Sequence, residues 1–87
     1  MAYVVPAGAG RFASAPELLR TGEKAVAGGE SEIDLAAVKE CDSSLLACLL
    51  AWRRAAAARG AQLTVKNVPE NLGRIAHLYG VEALALN

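Results

Sequence analysis

The stretch KECDSSLLACLLAWRRA, residues 39–55, places an acidic residue and two serines directly before an apolar segment that ends in paired arginines. Side chains such as Asp42 and Ser43 accept hydrogen bonds from the unpaired backbone N–H groups at the start of a helix. The leucines that follow predict a helix whose first half is buried, and the arginines mark where it emerges into water. The serines could serve as a helix cap, as a catalytic nucleophile or as a switch that another protein reads.

The composition limits the class of protein. The chain has 87 residues, of which 54% are hydrophobic and only 5% aromatic, and its formal net charge is zero. We predict a single domain over residues 1–87 with an aliphatic core, in which residues 1–11 form a shortened first strand and a loop. The absence of a positive charge surplus argues against nucleic acid as the main partner. The two cysteines, Cys41 and Cys48, fit reduced thiols in the cytoplasm.

The spacing of apolar residues alternates along the chain between the two-residue period of a strand and the roughly 3.6-residue period of a helix. Strand signals occur near residues 2–5, 31–38 and 61–68, and helix signals run from about 14 to 28, 43 to 59 and 69 to 80. The segment VEALALN at the end either adds a last short strand or packs down. This order predicts an α/β domain with a mixed, largely parallel sheet of about four strands and helices packed against it. The Asp-Ser-Ser turn then lies at the carboxyl edge of the sheet, where ligands and partners usually meet such folds.

The third predicted helix, residues 69–80, begins at a proline and stops at a glycine. Its apolar spacing predicts that Leu72, Ile75 and either Leu78 or Tyr79 face the core. The first helix is expected to take Ser14 as its cap.

The residues favour no enzymatic chemistry. A serine nucleophile needs a base within hydrogen-bond reach, yet the sequence places its one histidine, His77, on a different helix from Ser43. There is no G-x-S-x-G elbow, no phosphate-binding loop and no set of zinc ligands. We therefore predict no catalytic, cofactor or metal site. A phosphoryl group on Ser43 would add about −1.5 to −2 charges beside Asp42, which an apolar or acidic partner would not tolerate.

Residues 32–81, EIDLAAVKECDSSLLACLLAWRRAAAARGAQLTVKNVPENLGRIAHLYGV, resemble the STAS domain, the family of sulfate transporters and anti-sigma-factor antagonists. The resemblance rests on the Asp-Ser-Ser turn, on the G-x-x-L-x-V-x-N-V-P strand and on the closing helix. FASAPELLRTGEKAVAGG, upstream, is similar to the first helix of the family. In the anti-sigma-factor antagonists the serine after the aspartate is phosphorylated, which implies Ser43 here and an anti-sigma-factor kinase as partner.

Within the STAS family, this short chain with its LAWRRAA segment is more similar to the STAS subunits of a bacterial ABC system than to the anti-sigma-factor antagonists. That ABC system maintains lipid asymmetry in the outer membrane. That resemblance implies a cytoplasmic protein without cofactors that docks on the ABC transporter ATPase subunit, through a turn formed by Asp42, Ser43, Ser44 and Leu45. It also implies attachment to the inner membrane through the partner alone. Many STAS domains carry glycine where this chain has Leu45, and that departure changes the apolar surface expected beside Ser43. The shortened N-terminal strand would leave a sheet edge open to the partner or to a second copy in a homodimer.

Overall fold

The computed structural model describes residues 2–6 and 15–81, in which three strands and three helices alternate. Their order is β1 (Tyr3–Val4), α1 (Ala15–Ala27), β2 (Glu32–Asp34), α2 (Ser43–Ala58), β3 (Thr64–Lys66) and α3 (Glu70–Leu78). The strands pair in parallel in the order β1-β2-β3. The predicted α/β class is therefore confirmed. The cap expected at Ser14, most of the loop expected before it and the last strand expected after Val81 lie outside the described residues.

The sheet has one buried and one open face along β2 and β3. Ile33 pairs with Val65, and both side chains are buried in the core. The neighbouring row pairs Asp34 with Lys66, which point to the other side because successive side chains in a strand alternate. On that side Val4 of β1 is 53% exposed. This one-sided burial explains why the strands are visible as alternating patterns in the sequence.

The helices α1 and α2 lie side by side and run parallel. Three contacts join a side chain of α2, or of its C-terminal cap, to a backbone carbonyl of α1, and in each the partners are 33 residues apart. They are Cys48 Sγ to Ala15 O at 3.9 Å, Trp52 Nε1 to Leu19 O at 3.1 Å and Arg59 Nη1 to Val26 O at 2.7 Å. A constant separation along the chain means that the two helices keep the same register over their contact.

Trp52 lies at the centre of this packing and is fully buried. Its ring meets Tyr3 of β1 edge to face, with ring centroids 5.9 Å apart and planes at 85°. Its indole N–H donates to Leu19, so the single polar atom of the side chain is satisfied. Trp52 thus links β1, α1 and α2.

The inner face of α3 differs from the sequence prediction. Leu72 and Ala76 are fully buried and Ile75 is partly buried, whereas Leu78 is 81% and Tyr79 is 62% exposed. The prediction that Leu78 or Tyr79 faces the core was therefore wrong. Leu78 lies six residues after Leu72, which places it on a different side of a helix with 3.6 residues per turn. Tyr79 is the C-cap, so it follows the last residue of the helix.

Candidate partner-docking turn

The Asp-Ser-Ser turn forms the N-terminus of α2. Asp42 has an extended backbone and is the N-cap, and its Oδ1 atom accepts a hydrogen bond from the backbone N–H of Ser44 at 2.9 Å. The hydroxyl of Ser44 donates to the same oxygen. The carbonyl of Asp42 accepts from the N–H of Leu45 at 3.2 Å. Asp42 is thus confirmed as a helix cap, and it fixes the turn through local hydrogen bonds.

The two serines occupy different environments. Ser44 is partly buried, and its hydroxyl is bonded to Asp42. Ser43, the first residue of α2, is exposed. Ser43 is therefore the more exposed of the two serines.

Leu45 lies below the surface of the turn. Its side chain is fully buried and belongs to the same core as Leu49 and Trp52. These residues recur at helical spacing on the side of α2 that faces α1 and the sheet. The expectation that Leu45 changes the apolar surface beside Ser43 is thus wrong. Its side chain anchors the start of α2 and does not reach the surface.

Two asparagines form side-chain hydrogen bonds between neighbouring elements at this end of the sheet. Asn67, which follows β3, donates to Asp34 Oδ1 at 2.9 Å, and the backbone N–H of Ala36 donates to the same atom at 2.9 Å. These two bonds, the first one foremost, lower the pKa of Asp34. In α3, Asn71 donates to the carbonyl of Cys41 at 3.1 Å. The carboxyl ends of β2 and β3 are thus joined to each other, and the start of α3 is joined to the residue before the N-cap of α2.

Sequence reasoning missed both asparagines. Asn67 has a positive φ of 56°, a conformation that asparagine tolerates better than most residues, and it directly follows a predicted strand. An asparagine directly after a predicted strand could therefore have marked this position as a turn from the sequence alone. The bond of Asn71 to a residue 30 positions earlier has no local signature in the sequence.

An apolar groove lies beside the turn, between α1 and α2. Its volume is about 560 Å³, and none of its lining side chains is charged. Small residues dominate the lining, and the two serines of the turn lie at one end. The lining residues are Ala15, Pro16, Leu19, Ser43, Ser44, Ala47, Cys48 and Ala51. The exposed hydroxyl of Ser43 therefore stands beside an uncharged surface of the kind found at the centre of protein interfaces.

Both cysteines are free thiols with a raised pKa. Burial is the main cause for each. At Cys41 the charge of Asp42 adds to it and the hydrogen bond from Asn71 opposes it, and at Cys48 the charge of Glu23 adds to it. A raised pKa keeps a thiol protonated near neutral pH, and the thiolate is the nucleophile. These positions are therefore poorly suited to thiol catalysis.

Within residues 2–6 and 15–81, no three histidine, cysteine or acidic side chains form a group that could hold a metal ion. His77 lies in the last turn of α3 and is exposed, whereas the contact of α3 with the Asp-Ser-Ser region comes from its first turn. In the same part of the chain, no helix has both the length and the apolar character that crossing a bilayer requires.

Comparison with models of known protein families gives a match over most of the chain. The model of the family described as Mlab, STAS domain, matches residues 5–86 of the chain. The matched range includes all of α1, β2, α2, β3 and α3. No curated protein matches the chain.

Proposed function

The chain belongs to the Mlab-type STAS domain family, whose members are interaction modules, and from this premise we propose that it docks on the ATPase subunit of a phospholipid-transporting ABC system. In this role it performs no chemistry. It works in the cytoplasm and reaches the inner membrane through its partner. The observation that carries the proposal is the exposed Ser43 hydroxyl at the end of an uncharged groove.

The turn is suited to docking because it is fixed before a partner arrives. The cap by Asp42 and the burial of Leu45 hold the backbone on both sides of Ser43. A preformed contact surface loses little conformational entropy on binding. The groove adds apolar area that a partner can cover, and its lack of charge avoids the cost of desolvating ions.

A co-purification experiment tests the proposal with one substitution in the turn. In Ser43→Glu (S43E), a carboxylate in the first turn of α2 suits the positive end of the helix dipole, so the fold should persist. In the complex the same charge would be buried against the partner without a counter-ion, which is costly. We expect tagged wild-type protein, expressed in its native cell, to bring down an ABC ATPase that S43E recovers at least about tenfold less efficiently.

The matched control is Ser31→Glu (S31E), which makes the same change at an exposed serine just before β2. This serine lies at the amino ends of the strands, whereas the Asp-Ser-Ser turn follows their carboxyl ends. It should recover the ATPase as the wild type does. Equal recovery by S43E and wild type would show that the turn is not the interface. If no ABC ATPase is recovered by the wild type, the transport role itself is wrong.

The second candidate is an anti-sigma-factor antagonist that is switched by phosphorylation of Ser43. The exposure of Ser43, set against the bonded hydroxyl of Ser44, favours this residue as the one a kinase would reach. The same experiment separates the two functions. A serine kinase in place of an ATPase, together with phosphate on the peptide that contains Ser43, would assign the chain to signalling.

A further inference from the structure

The segment between β2 and α2 is anchored firmly at its start. Leu35 and Val38 are buried, the N–H of Val38 donates to the carbonyl of Leu35 at 3.0 Å, and that of Leu35 donates to Lys66 in β3 at 3.0 Å. After Val38, the side chains of Lys39 and Glu40 are exposed. The second half of the segment, which leads directly into the docking turn, therefore has no apolar side chain embedded as deeply as Val38.

Asn71 holds this second half from a different element. Its amide Nδ2, in the first turn of α3, donates to the carbonyl of Cys41 at 3.1 Å and lies 3.9 Å from the thiol of the same residue. Cys41 directly precedes the N-cap Asp42. The hydrogen bond therefore fixes a peptide group two residues before Ser43.

We propose that Asn71 is a positioning residue of the docking turn: by holding the carbonyl of Cys41, it sets the angle at which Ser43 and the start of α2 meet the partner. This inference rests on the docking function proposed above. Asn71 is itself exposed, and the core of α3 is formed by Leu72 and Ala76. Its loss should therefore affect the turn far more than the fold.

The two informative variants are Asn71→Ala (N71A), which removes the side-chain donor, and Asn71→Asp (N71D), which keeps the shape but offers an acceptor to a carbonyl. The matched control is Arg74→Ala (R74A). Arg74 lies about one turn further along the same helix and is exposed. Its side chain pairs with Glu70, also in α3, at 2.6 Å, so this ion pair does not involve the segment before α2. The affinity of each variant is measured by calorimetry with the purified ATPase subunit recovered in the co-purification.

A second readout reports on the contact itself. The hydrogen bond from Asn71 lowers the pKa of Cys41 against the effect of burial. In N71A the midpoint of the pH profile for alkylation of Cys41 by iodoacetamide, read from fragment ions that separate Cys41 from Cys48, should therefore move to higher pH. R74A should leave this profile unchanged.

We expect N71A and N71D to raise the dissociation constant about three- to tenfold, the range of one ordinary hydrogen bond. Their melting temperatures should stay close to that of R74A. An unchanged dissociation constant together with a shifted alkylation profile would overturn the proposal, because the contact would then be lost without effect on docking. A fall in melting temperature large enough to explain the lost affinity would overturn it as well.

These outcomes separate the two proposals. If S43E weakens binding while N71A does not, the docking function stands and the role of Asn71 is refuted. If wild-type protein does not bind the ATPase at all, the docking function is refuted and the role of Asn71 falls with it.

Discussion

Gly22 of α1 lies directly against the indole ring of Trp52, so close that a Cβ atom at position 22 would overlap ring atoms Cε2 and Cζ2. Glycine in the middle of a helix is usually unfavourable. Here the missing side chain is what allows the fully buried Trp52 to reach the carbonyl of Leu19 and the ring of Tyr3. The close approach of α1 and α2 thus depends on one residue without a side chain.

Gly22→Ala should destabilise the protein even though alanine is the better helix former. Overpacking a core typically costs about 1–3 kcal/mol, against a gain of up to about 1 kcal/mol in helix propensity. Urea denaturation followed by circular dichroism measures the net effect. The control is Gly73→Ala in α3, where nothing lies within 4 Å of the added Cβ, so that variant should be as stable as the wild type or more stable. A stabilised Gly22→Ala protein would mean that Trp52 can move away without cost.

Asp42→Ala should lower the free energy of unfolding by about 1 kcal/mol, the usual value of an N-cap. The reason is that both the N–H and the hydroxyl of Ser44 lose their acceptor. Asp42→Asn keeps a side-chain oxygen at the cap and should cost much less. Thermal unfolding of the two variants provides the measurement, and equal losses would show that the charge of Asp42 matters more than its capping bond.

The stability of the domain should fall in acid partly because of Asp34. The hydrogen bond from Asn67, and then that from Ala36, lower the pKa of Asp34 in the folded protein below its ordinary value of 3.8. The unfolded chain therefore takes up the proton first as the pH falls. The stabilisation from Asp34 is complete above the unfolded pKa and is lost as the pH falls through the folded pKa.

Two variants check this assignment by urea denaturation between about pH 2 and pH 6. Asp34→Asn cannot titrate and should show a shallower loss of stability in acid. Asn67→Gly removes the main donor while accommodating the positive φ of that position, so it should bring the pKa of Asp34 closer to 3.8. Acid profiles identical to the wild type in both variants would exclude Asp34 as a contributor.

The elements of the fold could be predicted from the sequence because their signals are local. Asp42 marks the start of α2, and Gly60 and Gly80, both with positive φ, follow the ends of α2 and α3 as expected. The strands β2 and β3 alternate because one face of the sheet is buried. Each of these features depends on residues a few positions apart.

What the sequence did not reveal depends on how distant segments meet. The bonds of Asn67 and Asn71 join residues 33 and 30 positions apart. The docking role of Ser43 was implied by the family resemblance alone, and the structure adds that its side chain is exposed.

The constant spacing of 33 residues between the contacts of α1 and α2 has a consequence for how the chain folds. Bringing the ends of a loop together costs conformational entropy that depends on loop length. Once the contact between Trp52 and Leu19 has formed, the same closed loop also brings Ala15 near Cys48 and Val26 near Arg59, so these contacts form at little further entropic cost. The contact between the two helices should therefore form from its middle outward, and β2 lies within the loop that the first contact closes.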